Sequence, residues 1–404
     1  MKKNNSEIII WYECDYSGGP DWSLIDLVKN WPNTNQNFKL FVNSNHEGLN
    51  LLKSKIDYRF NVISLPKYFF YSYWNQYLKT SKKINFFLPL RIIGFVFSFV
   101  AIFFLSTFIF ATNKSDAIIF SSGAYPGGFS NFPAMLSAFL LRKKKKWMVV
   151  RSHVVRIPLL KLFNIITKVS LNGIVAISKI IKRELVEMDC FDKKKITVIY
   201  PGIDDKKKQD TNINKIFNKN NFVVGIVGHL SKRKGHETLI RAINNVHKDY
   251  KKIRLIIIGS NLYEPGEKSS RKYYLKKLIK EIGITKIVFW KNYSKNIFTE
   301  IKNMDLLVLP SIKDESFGRV LVEAMASGVA VIGSNTGGIP EIISNNQNGL
   351  LFKMGSHEDL SKKIKYIITN NKLRQKIIKN GRKSFLKLFS VNIYVKKYYN
   401  LLKI

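Results

Sequence analysis

Leu306-Leu-Val-Leu309-Pro-Ser-Ile-Lys-Asp-Glu315-Ser-Phe-Gly318-Arg-Val-Leu-Val-Glu323 decides how the chain folds. Residues 306–309 form an apolar run too short for a helix and without polar alternation, so they read as a strand buried on both faces. Pro310 and Ser311 turn the chain, and Ser316 onward reads as the start of a helix. Strand, turn and helix in that order are the unit of a parallel sheet, and the pattern repeats on both sides. Downstream and upstream within the same half, residues 222–227, 254–258, 287–290 and 330–333 are short apolar or β-branched runs with helical stretches between them. In the first half, residues 7–12, 38–43, 117–121, 147–153 and 173–177 read the same way. There, residues 17–20 read as a turn and 21–31 as a helix capped by Asp21. The expected class is therefore α/β, with two doubly wound, Rossmann-like parallel sheets facing across a cleft. Residues 204–221, polar, rich in Lys and Asn and without periodicity, read as the linker.

Composition narrows the partners. The chain has 404 residues, of which 46% are hydrophobic, so it has enough material for two full cores and is not disordered. Lys plus Arg number 67 against 28 for Asp plus Glu, a net charge of +39. Such a surface attracts an anionic membrane or phosphorylated substrates. Nucleic acid is set aside, because the basic residues are spread along the whole chain and no binding motif accompanies them. Cys14 and Cys190 are far apart and form no disulfide or zinc pattern, which fits a reducing compartment. The apolar run at residues 8–12 is too short for a signal sequence, and a cytoplasmic location is expected. Residues 92–111 carry no charge and are flanked by Arg91 and Lys114. Three readings stay open for them: a buried helix, a helix lying in the bilayer surface, or a span. The stretch 68–77, with Tyr68, Phe69, Phe70, Tyr71, Tyr73, Trp74 and Tyr77 edged by Lys67 and Lys79, suits either a core or a lipid headgroup zone.

Several short stretches carry the chemistry. A helix beginning after Glu315 offers free N–H groups and a positive dipole end to a diphosphate, and Gly318 permits close backbone approach. Glu323, about two turns on, would return to the side of Glu315. Gly225-Ile-Val-Gly228-His-Leu-Ser-Lys-Arg233-Lys234-Gly235-His-Glu-Thr-Leu ends a strand in Gly228, crowds three cations into a loop and starts a helix near Gly235. No Gly-Lys-Ser/Thr follows, so this is not a Walker loop. Gly18-Gly19 after the first strand and Gly337-Gly338 before residue 339 repeat the strand–glycine–helix pattern. His153 stands at the end of a strand.

Together these stretches resemble the family 4 glycosyltransferases, most densely over residues 222–352 and most specifically over 315–323. The resemblance implies a GT-B fold, retention of anomeric configuration, no metal and no cofactor beyond a nucleotide diphosphate sugar as donor. By position it implies Glu315 at the donor sugar, Glu323 at the ribose, and Lys234 at the diphosphate with the N–H groups of Phe317 and Gly318. Gly228 and Arg233 belong to the same donor site, Gly18 and Gly19 close over the phosphates, and His153 sits beside the transferred sugar. It also implies an acceptor domain over residues 1–203, a donor domain over 222–385, and a final helix over 386–404 returning to the first. The apolar segment 84–111 would associate the first domain with the membrane. His229 departs from the family, which usually has arginine there. Histidine is mostly neutral at neutral pH, so either Arg233 supplies the charge or donor binding depends on pH. The expected reaction moves a hexose-type sugar to a glycan or lipid-linked acceptor in cell-surface polysaccharide synthesis, from the inner face of the membrane. Competing readings are another GT-B enzyme such as an epimerase or phosphorylase, a basic membrane- or nucleic-acid-binding protein without catalysis, or an inactive relative kept as a membrane scaffold.

Overall fold

The computed structural model describes residues 7–14, 17–33, 35–55, 59–72, 88–205, 217–218, 220–260, 271–292 and 296–402. Tyr73, Trp74 and Tyr77 of the aromatic stretch, residues 84–87 and most of 204–221 lie outside the described residues. The chain divides into two compact units, Met1–Gly202 with Val391–Ile404, and Ile203–Ser390.

The first unit holds a seven-stranded sheet: β1 (Glu7–Glu13), β2 (Asn37–Asn43), β3 (Phe60–Leu65), β4 (Ala117–Ser122), β5 (Lys145–Val150), β6 (Gly173–Ala176) and β7 (Ile196–Val198). Their order is β3-β2-β1-β4-β5-β6-β7, and every pair is parallel. The helices are α1 (Gly19–Lys29), α2 (Leu49–Lys55), α3 (Leu88–Thr112), α4 (Asn131–Leu140), α5 (Leu160–Ser170) and α6 (Lys179–Glu187). Central strands such as Ile8-Ile-Ile-Trp11 are buried on both faces, which accounts for their unbroken apolar character.

The second unit holds six parallel strands: β8 (Phe222–Val227), β9 (Ile253–Ile258), β10 (Val288–Lys291), β11 (Leu306–Leu309), β12 (Ala330–Ser334) and β13 (Leu350–Phe352), in the order β10-β9-β8-β11-β12-β13. Its helices are α7 (His236–Asp249), α8 (Arg271–Glu281), α9 (Ile297–Lys302), α10 (Arg319–Ser327), α11 (Ile339–Ile342), α12 (His357–Thr369) and α13 (Asn371–Ser384). One continuous core joins Val224, Ile226, Leu255 and Ile332 of the sheet to Leu239 and Ile243 of α7 and Ile364 of α12. The last helix, α14 (Val391–Leu402), packs against α1 of the first unit. Tyr399 meets Trp31 edge-on at 5.6 Å, and Tyr394 fills the space beside the missing side chain of Gly202. Each sheet reverses its strand order once, between β1 and β4 and between β8 and β11, and ligands of doubly wound sheets bind beyond the carboxyl ends of such strands.

Three sequence expectations need correction. The strand expected over 147–153 stops at Val150, because Arg151 leaves the ladder to donate its N–H to the carbonyls of Ser122 and Gly123. The helix expected from Asp21 begins at Gly19. Pro20 suits a first turn, where no N–H is needed, and Asp21 reaches back to the Gly18 N–H from inside the helix rather than capping from in front of it. The helix expected from Ser316 begins at Arg319, behind Gly318 in a left-handed conformation (φ 101).

Candidate active site

In the second unit, the loop after β8 and the loop after β11 meet at the point where the strand order reverses. Gly228 follows β8 and donates its N–H to the Ile258 carbonyl at 3.0 Å. Lys232–Lys234 makes one tight turn, and Gly235, at φ 68, starts α7. A Cβ on Gly235 would stand 1.8 Å from the Pro310 carbonyl oxygen, so only glycine lets this turn lie against the end of β11. That close approach delivers two cations to one carboxylate. Lys234 Nζ donates to Glu315 Oε2 at 2.7 Å, Arg233 Nη1 stands 3.2 Å from the same oxygen, and Ser311 Oγ donates to it at 3.0 Å.

Glu315 is 8% exposed. Burial opposes its ionisation, but the charges of Lys234 and Arg233 and the hydrogen bonds from Lys234 and Ser311 outweigh it and hold the carboxyl at about 2. It is therefore a fixed carboxylate at neutral pH and has no proton to give. Two cations on one carboxylate leave a local surplus of positive charge. Arg233, with 42% of its side chain exposed against 16% for Lys234, is the more exposed of the two. His236 adds no charge beside them: burial, then Arg271 and Lys234, push its imidazole down to about 3.

The loop bearing Glu315 is clamped from behind. The Gly338 N–H donates to the Glu315 carbonyl at 2.6 Å, and a Cβ on Gly337 would lie 2.5 Å from the Glu315 nitrogen. The two glycine-containing loops singled out in the sequence are thus one packed unit. Phe317 is 3% exposed, with its ring edge-on to Phe389 at 5.8 Å, so its side chain anchors the loop and only its backbone is left to meet a ligand. Because α10 starts at Arg319, two helical turns do not separate Glu315 from Glu323, and helical periodicity does not relate them. Glu323 accepts from Arg319 Nε at 2.9 Å along the helix. His229 Nδ1 lies 3.4 Å from Ser260 Oγ, beside Gly228.

In the first unit, Gly18 and Gly19 follow β1 and open α1. Asp21 holds that turn: its Oδ2 accepts from the Gly18 N–H at 3.0 Å, while its Oδ1 accepts from Tyr12 Oη at 2.5 Å and faces His46 Nε2 at 3.0 Å. His46 Nδ1 faces the Cys14 carbonyl at 2.6 Å. His153, beyond β5, faces Glu184 Oε1 through Nδ1 at 2.8 Å, and the other Glu184 oxygen accepts from the Val154 N–H at 3.0 Å. A carboxylate at Nδ1 places the proton there and fixes the ring. Ser311, Glu184 and His46 were not singled out from the sequence. No spacing signal could have found Glu184 or His46, because each reaches its partner only through the fold.

A family model described as "Glycosyl transferases group 1" matches residues 207–384. The chain is 30% identical over 230 residues to the capsular polysaccharide biosynthesis glycosyltransferase CapM of Staphylococcus aureus, covering 54% of this chain and 58% of that protein. It is 28% identical over 207 residues to the N-acetylgalactosamine-N,N'-diacetylbacillosaminyl-diphospho-undecaprenol 4-alpha-N-acetylgalactosaminyltransferase of Campylobacter jejuni, covering 51% and 53%. The chain thus spans a little over half the length of these curated relatives. Among solved structures, Anabaena HepE in complex with UDP superposes with a TM-score of 0.77 at 19% identity, covering 98% of this chain and 99% of that one. At that identity the likeness speaks for the fold, the GT-B pairing of two parallel-sheet domains.

Proposed function

We propose that this chain, whose residues 207–384 match the model of glycosyl transferases group 1, is a family 4 retaining transferase. It moves a hexose-type sugar from a nucleotide diphosphate sugar to a glycan or lipid-linked acceptor, without a metal. Cell-surface polysaccharide synthesis on the inner face of the membrane is its proposed setting. The names of the Staphylococcus and Campylobacter relatives, one capsular and one a diphospho-undecaprenol glycosyltransferase, support that setting.

The observation that carries the reading is the grip of Lys234 and Arg233 on Glu315. In the transfer, the bond from the sugar's anomeric carbon to the diphosphate breaks and one to the acceptor oxygen forms on the same face. Charge builds up on the leaving diphosphate, and Lys234 and Arg233 are fixed cations that answer it, aided by the start of α10 behind Phe317 and Gly318. Glu315 holds these cations in place before the donor arrives. All three of its bonds fall on Oε2, which leaves Oε1 as the oxygen we assign to a sugar hydroxyl. Glu323 takes the ribose hydroxyls, with Arg319 Nε donating to it at 2.9 Å. Glu184 keeps the His153 proton on Nδ1, so Nε2 is the atom that would meet the sugar. Gly228 and His229 line the diphosphate side, and the Gly18–Gly19 turn closes over it with the Gly19 N–H, since the Gly18 N–H is held by Asp21.

Calorimetric titration against UDP, GDP, ADP and their sugars tests the reading. One nucleotide diphosphate should bind far more tightly than its monophosphate. If none binds, the donor-site assignment fails.

A further inference from the structure

The helix layer over one face of the first sheet has an outer surface that the transfer reaction does not use. Helix α3 packs on α4, and α4 packs on α5. Their inner sides converge on aromatic rings: Phe163 of α5 lies 6.5 Å from Phe95 of α3 and 4.2 Å from Phe132 of α4. Thr107 Oγ1 and Ser137 Oγ, 2.9 Å apart, tie α3 to α4. Ser98, Ile102, Ser106 and Phe110 of α3 are buried against this layer. Helix α3, whose length and hydropathy would allow a span, thus has one side built into the sheet domain and is not free to be surrounded by lipid.

The outer sides are apolar on more than one helix. On α3, Ile93, Phe97, Val100, Phe104 and Phe108 are exposed, Phe104 and Phe108 by 66% and 68%. On α5, Leu162, Ile165 and Val169 are exposed by 50%, 59% and 55%, and Phe139 and Leu140 continue the surface at the end of α4. A contiguous apolar surface of this kind marks an interaction site. Its charge setting says what covers it. Between Leu88 and Asp189 there are fourteen Lys and Arg and four acidic residues, Asp116, Glu184, Glu187 and Asp189, of which Glu184 faces His153 and Asp189 pairs with Lys168 of α5. All three helices lead into parallel strands, so their carboxyl ends gather at one edge of the sheet. Exposed Lys114, Arg142 and Lys144 stand there, while Arg156 and Lys161 stand at the opposite end beside the start of α5. An apolar face rimmed at both ends by cations matches the acyl boundary and phosphate layer of an anionic bilayer.

We infer that the outer face of α3, α4 and α5 lies flat in the surface of an anionic phospholipid membrane, with α5 as much a part of the contact as the longer α3. This goes beyond the proposed reaction and does not depend on it, since vesicle binding is read without donor or acceptor.

Sedimentation of the full chain with phosphatidylglycerol-rich and phosphatidylcholine vesicles, at low and high salt, tests it. The chain should bind the anionic vesicles and be only partly released by salt, because apolar insertion is not screened. The double variant Ile165→Glu/Val169→Glu should lower the partition about tenfold at both salt levels. Arg142→Glu/Lys144→Glu should lower it at low salt only. Ile165→Trp should raise it. Nucleotide affinity should stay unchanged in all of them, and an unaltered circular dichroism spectrum and melting curve check that the first unit, which carries α5, still folds. Unaltered vesicle binding in the α5 variants, or no preference for anionic vesicles, would overturn the inference. So would a dimer in ultracentrifugation that Ile165→Glu/Val169→Glu dissolves, since a second copy would then be the occupant.

Discussion

Two buried carboxylates, Glu315 and Asp21, each stand just after a strand that borders the reversal of its sheet, and both are held below their ordinary pKa. Burial pushes each of them up, and partners pull each of them down. The partners differ. Glu315 meets Lys234 and Arg233, cations with 16% and 42% of their side chains exposed. Asp21 meets His46 and Tyr12, and both members of the Asp21–His46 pair have no exposed side-chain surface. A carboxylate whose partners can reach solvent can lend them to an incoming anion. One whose partners are sealed in can only hold the chain. On the proposed function the second unit would carry chemistry at this position, while in the first Asp21 holds the shape of the Gly18–Gly19 turn.

The largest expected effect breaks or keeps this contrast directly. Lys234→Ala should lower kcat/KM on the order of a thousandfold, about 4 kcal/mol, and weaken nucleotide diphosphate binding at least about tenfold. Steady-state kinetics and calorimetry read both. If the variant loses only stability, the Glu315 cluster is a structural tie like that of Asp21.

Acid comes next. The Glu315 carboxyl sits at about 2 against an ordinary value of 4.5. A depressed folded pKa gives stability that is present above the unfolded value and lost as pH falls through the folded one. The gap corresponds to roughly 3 kcal/mol, lost between about pH 4.5 and 2. Glu315→Gln should flatten the fall of the melting temperature over that window. An unchanged acid limb would mean that the ion pairs add nothing net.

Gly235→Ala should destabilise the second unit by about 2 kcal/mol, from the left-handed backbone and the clash with the Pro310 carbonyl. Nucleotide affinity should fall with it, because the same turn aims Lys234. Urea unfolding and calorimetry on one preparation separate the two effects. Full affinity in a destabilised protein would show that Lys234 finds Glu315 without the close approach.

The strands around the candidate site were legible because they are central. Residues 222–227 and 306–309 are buried on both faces and bounded by Asn221 and Gly228 and by Asp305 and Pro310, so pattern and structure share their ends. The strands the sequence hid, β3, β7 and β13, are the outer members of their sheets. In β3, Phe60-Asn-Val-Ile-Ser-Leu65 mixes polar with apolar residues, because only part of an edge strand is covered. Glu315 and Lys234 stood out through their local pattern of strand end, glycine and helix. Glu184 and His46 had no such signal, since a carboxylate in the middle of α6 and a histidine in a loop look like surface until the fold brings them to His153 and Asp21. The outer face of α5 was hidden for another reason. Its apolar residues look like an ordinary core stripe, and only their exposure shows that a second stripe, through Phe163, already serves the core.

The smallest effect sharpens the contrast from the other side. Tyr12→Phe removes the 2.5 Å bond from Tyr12 Oη to Asp21 while leaving the His46 and Gly18 contacts in place. The lost bond should cost about 1 kcal/mol at neutral pH. Its pH dependence has a definite sign. The Tyr12 hydroxyl helps lower the Asp21 pKa, so removing it raises the folded value towards that of the unfolded chain. The wild-type advantage is then full above the unfolded pKa of about 3.9 and shrinks as pH falls through the folded one. Scanning calorimetry should find the two proteins further apart at neutral pH than in acid. UDP or GDP affinity, whichever the calorimetric panel selects, should change by less than about twofold, in contrast to Lys234→Ala. An affinity loss as large as that of Lys234→Ala would mean that the sealed Asp21 cluster serves the donor too, and that the division between a holding carboxylate and a lending one is wrong.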